Sequence, residues 1–137
     1  MNGFPFETSI TVRFRDVDAM GHVNNAVYGT FFEEGRVALF RKHFGVRGAS
    51  DFDFIIARLE IDFRRPIRLD DEVRLGIRVA AMGVSSFTFD YRLEAAGEVA
   101  AEGRTVQVCF DYAAGRKKPL DEGFRARLEA FSAGGSS

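Results

Sequence analysis

Few things in this 137-residue chain are in surplus, and the shortages exclude several classes of function. A single cysteine, Cys109, rules out an internal disulfide framework and suits a reducing compartment. Lys and Arg number 19 against 20 Asp and Glu, a net charge of -1, so no overall cationic field is available to attract nucleic acid. Anionic ligands would have to meet local clusters of basic residues. No stretch approaches the roughly 20 apolar residues of a membrane span. The opening residues MNGFPFETS have neither the charged start nor the apolar run of a secretory signal. A cytoplasmic protein with neither nucleic-acid nor membrane partners is expected. The chain has no G-x-S-x-G elbow, P-loop or dinucleotide fingerprint. Its two histidines, His22 and His43, and the distant Cys109 show no recurring ligand spacing, so neither a metal nor another cofactor is expected.

What is present fits one globular domain. With 46% hydrophobic and 28% charged residues the chain is able to bury a core. The domain is expected over residues 1–132, with 133–137 as a flexible tail. The chemistry is concentrated in Val12 to Arg36, VRFRDVDAMGHVNNAVYGTFFEEGR, which reads strand, acidic turn, helix. Ile10, Val12 and Phe14 alternate with Thr11, Arg13 and Arg15, a period of two that predicts a half-buried first strand. Asp16, Asp18 and Gly21 form the turn. Asn24 has a side-chain oxygen suited to capping, so the helix is expected to begin at Asn25 and to fray near Arg41. At 100° per residue Val27, Tyr28, Phe31, Phe32, Gly35, Ala38 and Leu39 share one stripe. Thr30, Glu33, Arg36 and Arg41 lie opposite, and Val37 and Phe40 interrupt that polar side, which suggests that it is partly covered.

Four further alternating runs follow. After the loop Gly45 to Asp53, the first sets Ile55, Ala57, Leu59, Ile61 and Phe63 against Arg58, Glu60, Asp62 and Arg64, and ends at Pro66. Val73 to Val79 is the clearest strand. Phe87 to Leu93 follows and turns through Ala96-Gly97-Glu98 into Val99 to Asp111, as a hairpin would, with Val106, Val108 and Phe110 alternating with Gln107 and Cys109. Phe124, Leu128 and Phe131 mark a short amphipathic helix with Asp121 near its start. Strands that alternate in this way form antiparallel sheets with one dry face. The long helix carries the complementary stripe, so an α+β domain with a five-stranded sheet wrapped around that helix is expected. Exposed sheet edges make a homo-oligomer that continues the sheet a further expectation.

The run RFRDVDAMGHVNNAVYGTFFEEGR resembles the signature of the hot-dog-fold acyl-CoA thioesterases, in the 4-hydroxybenzoyl-CoA thioesterase-like group. The element order and the Arg65-Pro66 corner extend the resemblance over about Thr8 to Tyr112. It implies a hot-dog fold and hydrolysis of an acyl-CoA to a free acid and CoA. It also implies an active site at a subunit interface, in a homodimer or a dimer of dimers. The second carboxylate of the D-x-D turn, Asp18, would be catalytic, and the backbone N–H of Asn25 would polarise the thioester carbonyl. The family's best-known members carry basic residues at the start of the fourth strand, where this chain has Gly83, Val84, Ser85 and Ser86. Ser85 and Ser86 are left as hydrogen-bonding candidates for the ligand.

The same chemistry follows from the residue types. A thioester needs a fixed donor where charge develops on its carbonyl oxygen, and an uncapped amide at a positive helix end is one. It also needs a base for water or a nucleophile, and a carboxylate serves as either. Against this stands the simpler use of Asp16 and Asp18 to satisfy turn amides, a structural role assigned here to Asp16. His22 is open to orienting substrate, bracing the loop or donating a proton. Tyr28 belongs to the stripe, with a place near the acyl group as the alternative. Arg64, Arg65 and Arg68, or Arg116, Lys117 and Lys118, are the clusters available to CoA phosphates. Glu33 and Glu34 fit a solvated or interface pair. Two other readings remain at this level: a dehydratase acting on hydroxyacyl thioesters and leaning on His22, and a non-catalytic acyl-CoA binding module.

Overall fold

The computed structural model describes residues 1–48 and 52–132. Part of the loop before the second strand and the expected tail at 133–137 lie outside these. In chain order the elements are β1 Phe6–Ile10, α1 Tyr28–His43, β2 Phe54–Phe63, β3 Val73–Met82, β4 Ser86–Ala95, β5 Glu98–Asp111, β6 Arg116–Lys117 and α2 Glu122–Glu129. The sheet order is β1-β3-β4-β5-β2, every neighbour antiparallel, with the short β6 added to β5. Because β1 and β2 occupy opposite edges, α1 must cross the whole dry face between them. This is the expected sheet curled around a long central helix, with a short C-terminal helix.

Two glycines show how closely the layers approach. A side chain at Gly35 of α1 would run into Leu75 of β3, and one at Gly103 of β5 would run into the Phe32 ring. The Phe32 ring instead stacks on Tyr91 at 4.3 Å. Phe40, the residue that interrupts the polar side of the helix, is 1% exposed and packs against Phe52, Phe54, Phe87, Phe89 and Phe124. The outer side of α1 is therefore partly covered, as its sequence suggests, with Thr30, Glu33 and Arg41 left exposed. Helix α2 is capped by Asp121, whose Oδ1 accepts the Phe124 N–H at 2.8 Å. The β4–β5 hairpin turns through Ala96 and Gly97, both at positive φ (52° and 81°), the primed geometry whose twist matches a two-residue hairpin.

The structure corrects several expectations. The first strand lies earlier than the alternation of Val12 and Phe14 suggests. It ends at Ile10, and Phe14 to Asp16 form a single 3₁₀ turn in which the Arg13 N–H donates to Asp16 Oδ2 at 2.8 Å. That local bond outcompetes strand pairing and leaves Phe14 84% exposed. Helix α1 is preceded by a 3₁₀ turn over Asn25–Val27 and runs on to His43. Arg36, expected on the polar side, is buried. A register shift between Ile56 and Arg58 puts Phe54, Ile56, Leu59, Ile61 and Phe63 on the inner face, opposite Cys109, Gln107, Thr105, Gly103 and Ala101. Thus Ile55 and Ala57 are not part of the inward row. Thr105 and Gln107, polar by type, are among the most buried residues of β5.

Substituting Gly35 with alanine should lower stability by about 1–3 kcal/mol, the usual cost of overpacking a close helix–sheet contact. Urea denaturation followed by far-UV circular dichroism measures it. An unchanged midpoint would show that the helix can draw back from Leu75.

Candidate active site

The site is built by the loop that joins the 3₁₀ turn at Asp16 to α1. Bonds to both flanks hold this loop: the Asn24 N–H donates to the Asp16 carbonyl at 2.8 Å and the Val23 N–H to the Ile67 carbonyl at 2.7 Å. A bridge between Val17 and Val23 closes it from within. Inside the closed loop the Asp18 N–H donates to the His22 carbonyl at 2.8 Å, and the Gly21 N–H to the Asp18 carbonyl at 3.0 Å. Gly21 sits at φ +82°, where a side chain would be strained.

The two oxygens of Asp18 differ in their surroundings. Oδ1 accepts from the Met20 N–H at 2.9 Å and, at 3.3 Å, from the His22 N–H. Among the described residues no hydrogen bond or ion pair falls on Oδ2. One oxygen thus locks the rotamer while the other remains available. Both the turn-bracing and the chemical use of this carboxylate are geometrically open, one to each oxygen.

The helix start is divided in the same way. Asn24 Oδ1 accepts the Ala26 N–H at 2.9 Å, and the Asn24 carbonyl accepts the Val27 N–H at 2.8 Å. The Asn25 N–H opens the turn and has no acceptor among the described residues. It lies at the positive end of the α1 axis.

Asp18 and Asn25 line one groove of about 290 Å³, together with His22, Val23, Tyr28, Phe63, Arg64, Arg65 and Pro66. The structure thereby places six of the eight anticipated residues around one opening. Tyr28 is 2% exposed and meets the Phe63 ring edge-on at 4.9 Å. Burial pushes its phenol above the usual range, with the Ile67 backbone pulling partly back, so it is a neutral group at physiological pH. Arg64 pairs with Glu102 at 3.2 Å and Arg65 with Glu98, all exposed contacts that a ligand phosphate can displace at small cost.

The remaining two anticipated residues are not there. Ser85 and Ser86 lie at the far end of the sheet, where Ser86 pairs with Val108 and Val108 with Ile55. Eight residues of β2 separate Ile55 from Phe63, about 25 Å along a strand. Within one chain these serines do not reach the groove. Asp16, by contrast, is buried, with its Oδ2 accepting the Arg13 N–H within its own turn, and it does not line the groove. Val23 and Phe63 are lining residues that the sequence does not single out. Phe63 carries a signal only in hindsight, as the last apolar residue before the Arg65-Pro66 corner. Among the described residues no group of three His, Cys, Asp or Glu side chains is placed to hold a metal ion.

The curled sheet, the central helix and a carboxylate beside the helix mouth define the hot-dog class of thioesterases. The chain matches the Thioesterase-like superfamily over residues 12–128 and belongs to it. It is similar to a thioesterase from Thermus thermophilus whose crystal structure is complexed with coenzyme A and Zn. That similarity amounts to 40% identity, 96% of this chain, 97% of the other and a TM-score of 0.86. It is 29% identical to the long-chain acyl-CoA thioesterase FadM of Escherichia coli, covering 90% of this chain and 96% of that protein. A 1,4-dihydroxy-2-naphthoyl-CoA hydrolase from Synechococcus elongatus is 30% identical, with 81% and 85% covered.

Replacing Asn24 with alanine removes the acceptor for the Ala26 N–H and should cost about 0.5–2 kcal/mol, as helix caps do. Chemical denaturation reads the loss, and no loss would mean that water replaces the side chain.

Proposed function

We propose that this protein hydrolyses acyl-CoA thioesters to a free acid and CoA. The observation that carries this reading is that Asp18 and Asn25 line the same groove, with Asp18 Oδ2 and the Asn25 N–H both without a partner among the described residues. The thioester carbonyl oxygen accepts from the Asn25 N–H, which is already oriented and costs no reorganisation as charge develops. Asp18 Oδ2 either takes a proton from water, whose oxygen attacks the carbonyl carbon, or attacks that carbon itself. In the first route the C–S bond breaks and CoA leaves as the thiol, carrying the proton that Asp18 took from water. In the second the C–S bond breaks as an anhydride forms between Asp18 and the acyl group, CoA leaves as the thiolate, and a water then hydrolyses the anhydride, restoring the carboxylate and supplying the thiol proton. In this reading His22, which lines the groove, passes the proton to sulfur. Arg64 and Arg65 at the rim are the counter-charges for CoA phosphates. The named activities of the relatives, a long-chain acyl-CoA thioesterase and a naphthoyl-CoA hydrolase, support the same reaction class.

The working unit in this reading is a homo-oligomer. Strand β2 is a sheet edge, and it exposes Ile55, Ile56, Leu59 and Phe63 by 40, 40, 49 and 46%. A ten-residue edge carrying that much apolar surface is a template for pairing with a second copy. Such pairing brings a second chain to Phe63 and so to the wall of the groove. Among the described residues no helix is long and apolar enough to cross a membrane, and a lone buried cysteine suits a cytoplasmic setting.

Asp18→Asn should fold as the parent does and lose about 10²-fold or more of its thiol-release rate, as loss of a positioned acid–base group does. Thiol release from a panel of acyl-CoAs measures this, and near-parental rates on every substrate would refute the assignment. Size-exclusion chromatography with light scattering should find a dimer or dimer of dimers for the parent. Leu59→Arg should shift it to monomer. A monomeric parent that turns over acyl-CoA would contradict the edge-pairing reading.

A further inference from the structure

Besides the groove at the helix mouth, the chain has a larger one of about 440 Å³ between the outer flank of α1 and β2. Val37, Phe52, Phe54 and Ile56 make it apolar, and Arg36, Arg41 and Glu33 are its charged lining residues. Arg36 is unusual among these. It is only 8% exposed, yet it forms no ion pair among the described residues. Among the described residues its side chain makes one hydrogen bond, from Nη1 to the Tyr91 phenol oxygen at 3.1 Å. Tyr91 Oη lies 2.6 Å from Thr105 Oγ1, and the ring is clamped against Phe32. Since the phenol oxygen accepts from Arg36, its own hydrogen is directed to Thr105.

A guanidinium has five N–H donors in a fixed fork; one of them fixes the orientation of Arg36, and the others meet no acceptor among the described residues while keeping contact with the open groove. A cation that is only 8% exposed and faces a groove without an ion-pair partner among the described residues leaves its charge unbalanced there. A neutral hydroxyl does not restore that balance, whereas a carboxylate does so bidentately. The groove contributes a second guanidinium, Arg41, against a single carboxylate, Glu33.

The groove and the proposed reaction site are both walled by strand β2. The inward row of β2 runs from Phe54 and Ile56, which line it, through the half-exposed Leu59 to Phe63, which lines the site of Asp18. Along α1, Arg36 is 11 residues beyond Asn25, about 16 Å at 1.5 Å per residue.

We propose that Arg36 is a specificity-determining residue that selects acyl groups ending in a carboxylate, the half-thioesters of α,ω-dicarboxylic acids. Their chains lie along the β2 row and their far ends meet the guanidinium. The proposal rests on the acyl-CoA reading above. The occupant is recognised by its terminal negative charge and the apolar length preceding it.

The test compares matched pairs of increasing length: octanedioyl-CoA with octanoyl-CoA, dodecanedioyl-CoA with dodecanoyl-CoA, and hexadecanedioyl-CoA with hexadecanoyl-CoA. For the parent, kcat/KM should favour the carboxylated member by roughly ten- to hundredfold at one length or more, the worth of a charge-assisted hydrogen bond. The gain should appear in KM. Arg36→Met should abolish the preference while plain acyl-CoA remains a substrate, and Arg36→Lys should retain part of it. The parent ratio stands even if Arg36→Met fails to fold. A ratio near one at every length, or a ratio that survives Arg36→Met, overturns the proposal. A parent without preference that loses its oligomer on Arg36→Met also overturns it, since a carboxylate of a second copy would then be the partner of Arg36. Calorimetric binding of the same pairs to Asp18→Asn reads the preference independently of turnover. If no thioester is cleaved but the carboxylated members bind more tightly, the hydrolase reading fails and this one stands. Equal affinities defeat it.

Discussion

The structure turns on a loop clamped at both ends, in which the chain from Asp16 to Asn24 is bonded to the first 3₁₀ turn through Asp16 and to the Pro66 corner through Ile67. Asp18 is an exposed acid on a glycine-containing turn, and without those two backbone bonds nothing would bring it to the helix start. With them it is set seven residues ahead of the helix start but beside it in space. The same closure consumes one carboxylate oxygen and one side of the helix mouth, and leaves Asp18 Oδ2 and the Asn25 N–H without partners among the described residues, on two residues that line a single groove. Turn geometry and the placing of Asp18 at the groove are therefore consequences of one set of hydrogen bonds.

The rest of the fold supplies rigidity to that point. Helix α1 is held against the sheet by the ring stack of Phe32 on Tyr91 and by the aromatic cluster around Phe40 near its far end. Interiors packed at this density do not deform continuously, so the helix mouth is fixed relative to β2 and Phe63. The sheet ends at β2 in an open edge, where apolar residues remain half-exposed. The least finished part of one chain thus adjoins its most chemically specific part, which is why subunit pairing and the site are considered together.

Much of this is legible from residue order. The period-two runs locate β3, β4 and β5, the period of 3.6 locates α1, and Asn24 and Asp121 mark the helix starts because their side chains accept from first-turn amides. The D-x-D turn and the helix start identify the groove. The departures have local causes. Val12 and Phe14 alternate like a strand, but the bond from the Arg13 N–H to Asp16 bends the chain first. The phase of β2 escapes the pattern because a register shift at Ala57 carries no signature in composition. Arg36 looks solvated because its type is usually exposed, and nothing in the sequence indicates that Tyr91, 55 residues later, waits to accept its hydrogen bond. Ser85 and Ser86 enter by analogy of strand position, which does not determine distance within one subunit.

A crystal structure of the protein with an inert ketone analogue of an acyl-CoA tests the central claim most directly. The account predicts the analogue's carbonyl oxygen at about 2.9–3.0 Å from the Asn25 nitrogen, with Asp18 Oδ2 facing the carbonyl carbon or a water beside it. A carbonyl held by other donors, with Asp18 bonded only within its own turn, would contradict it.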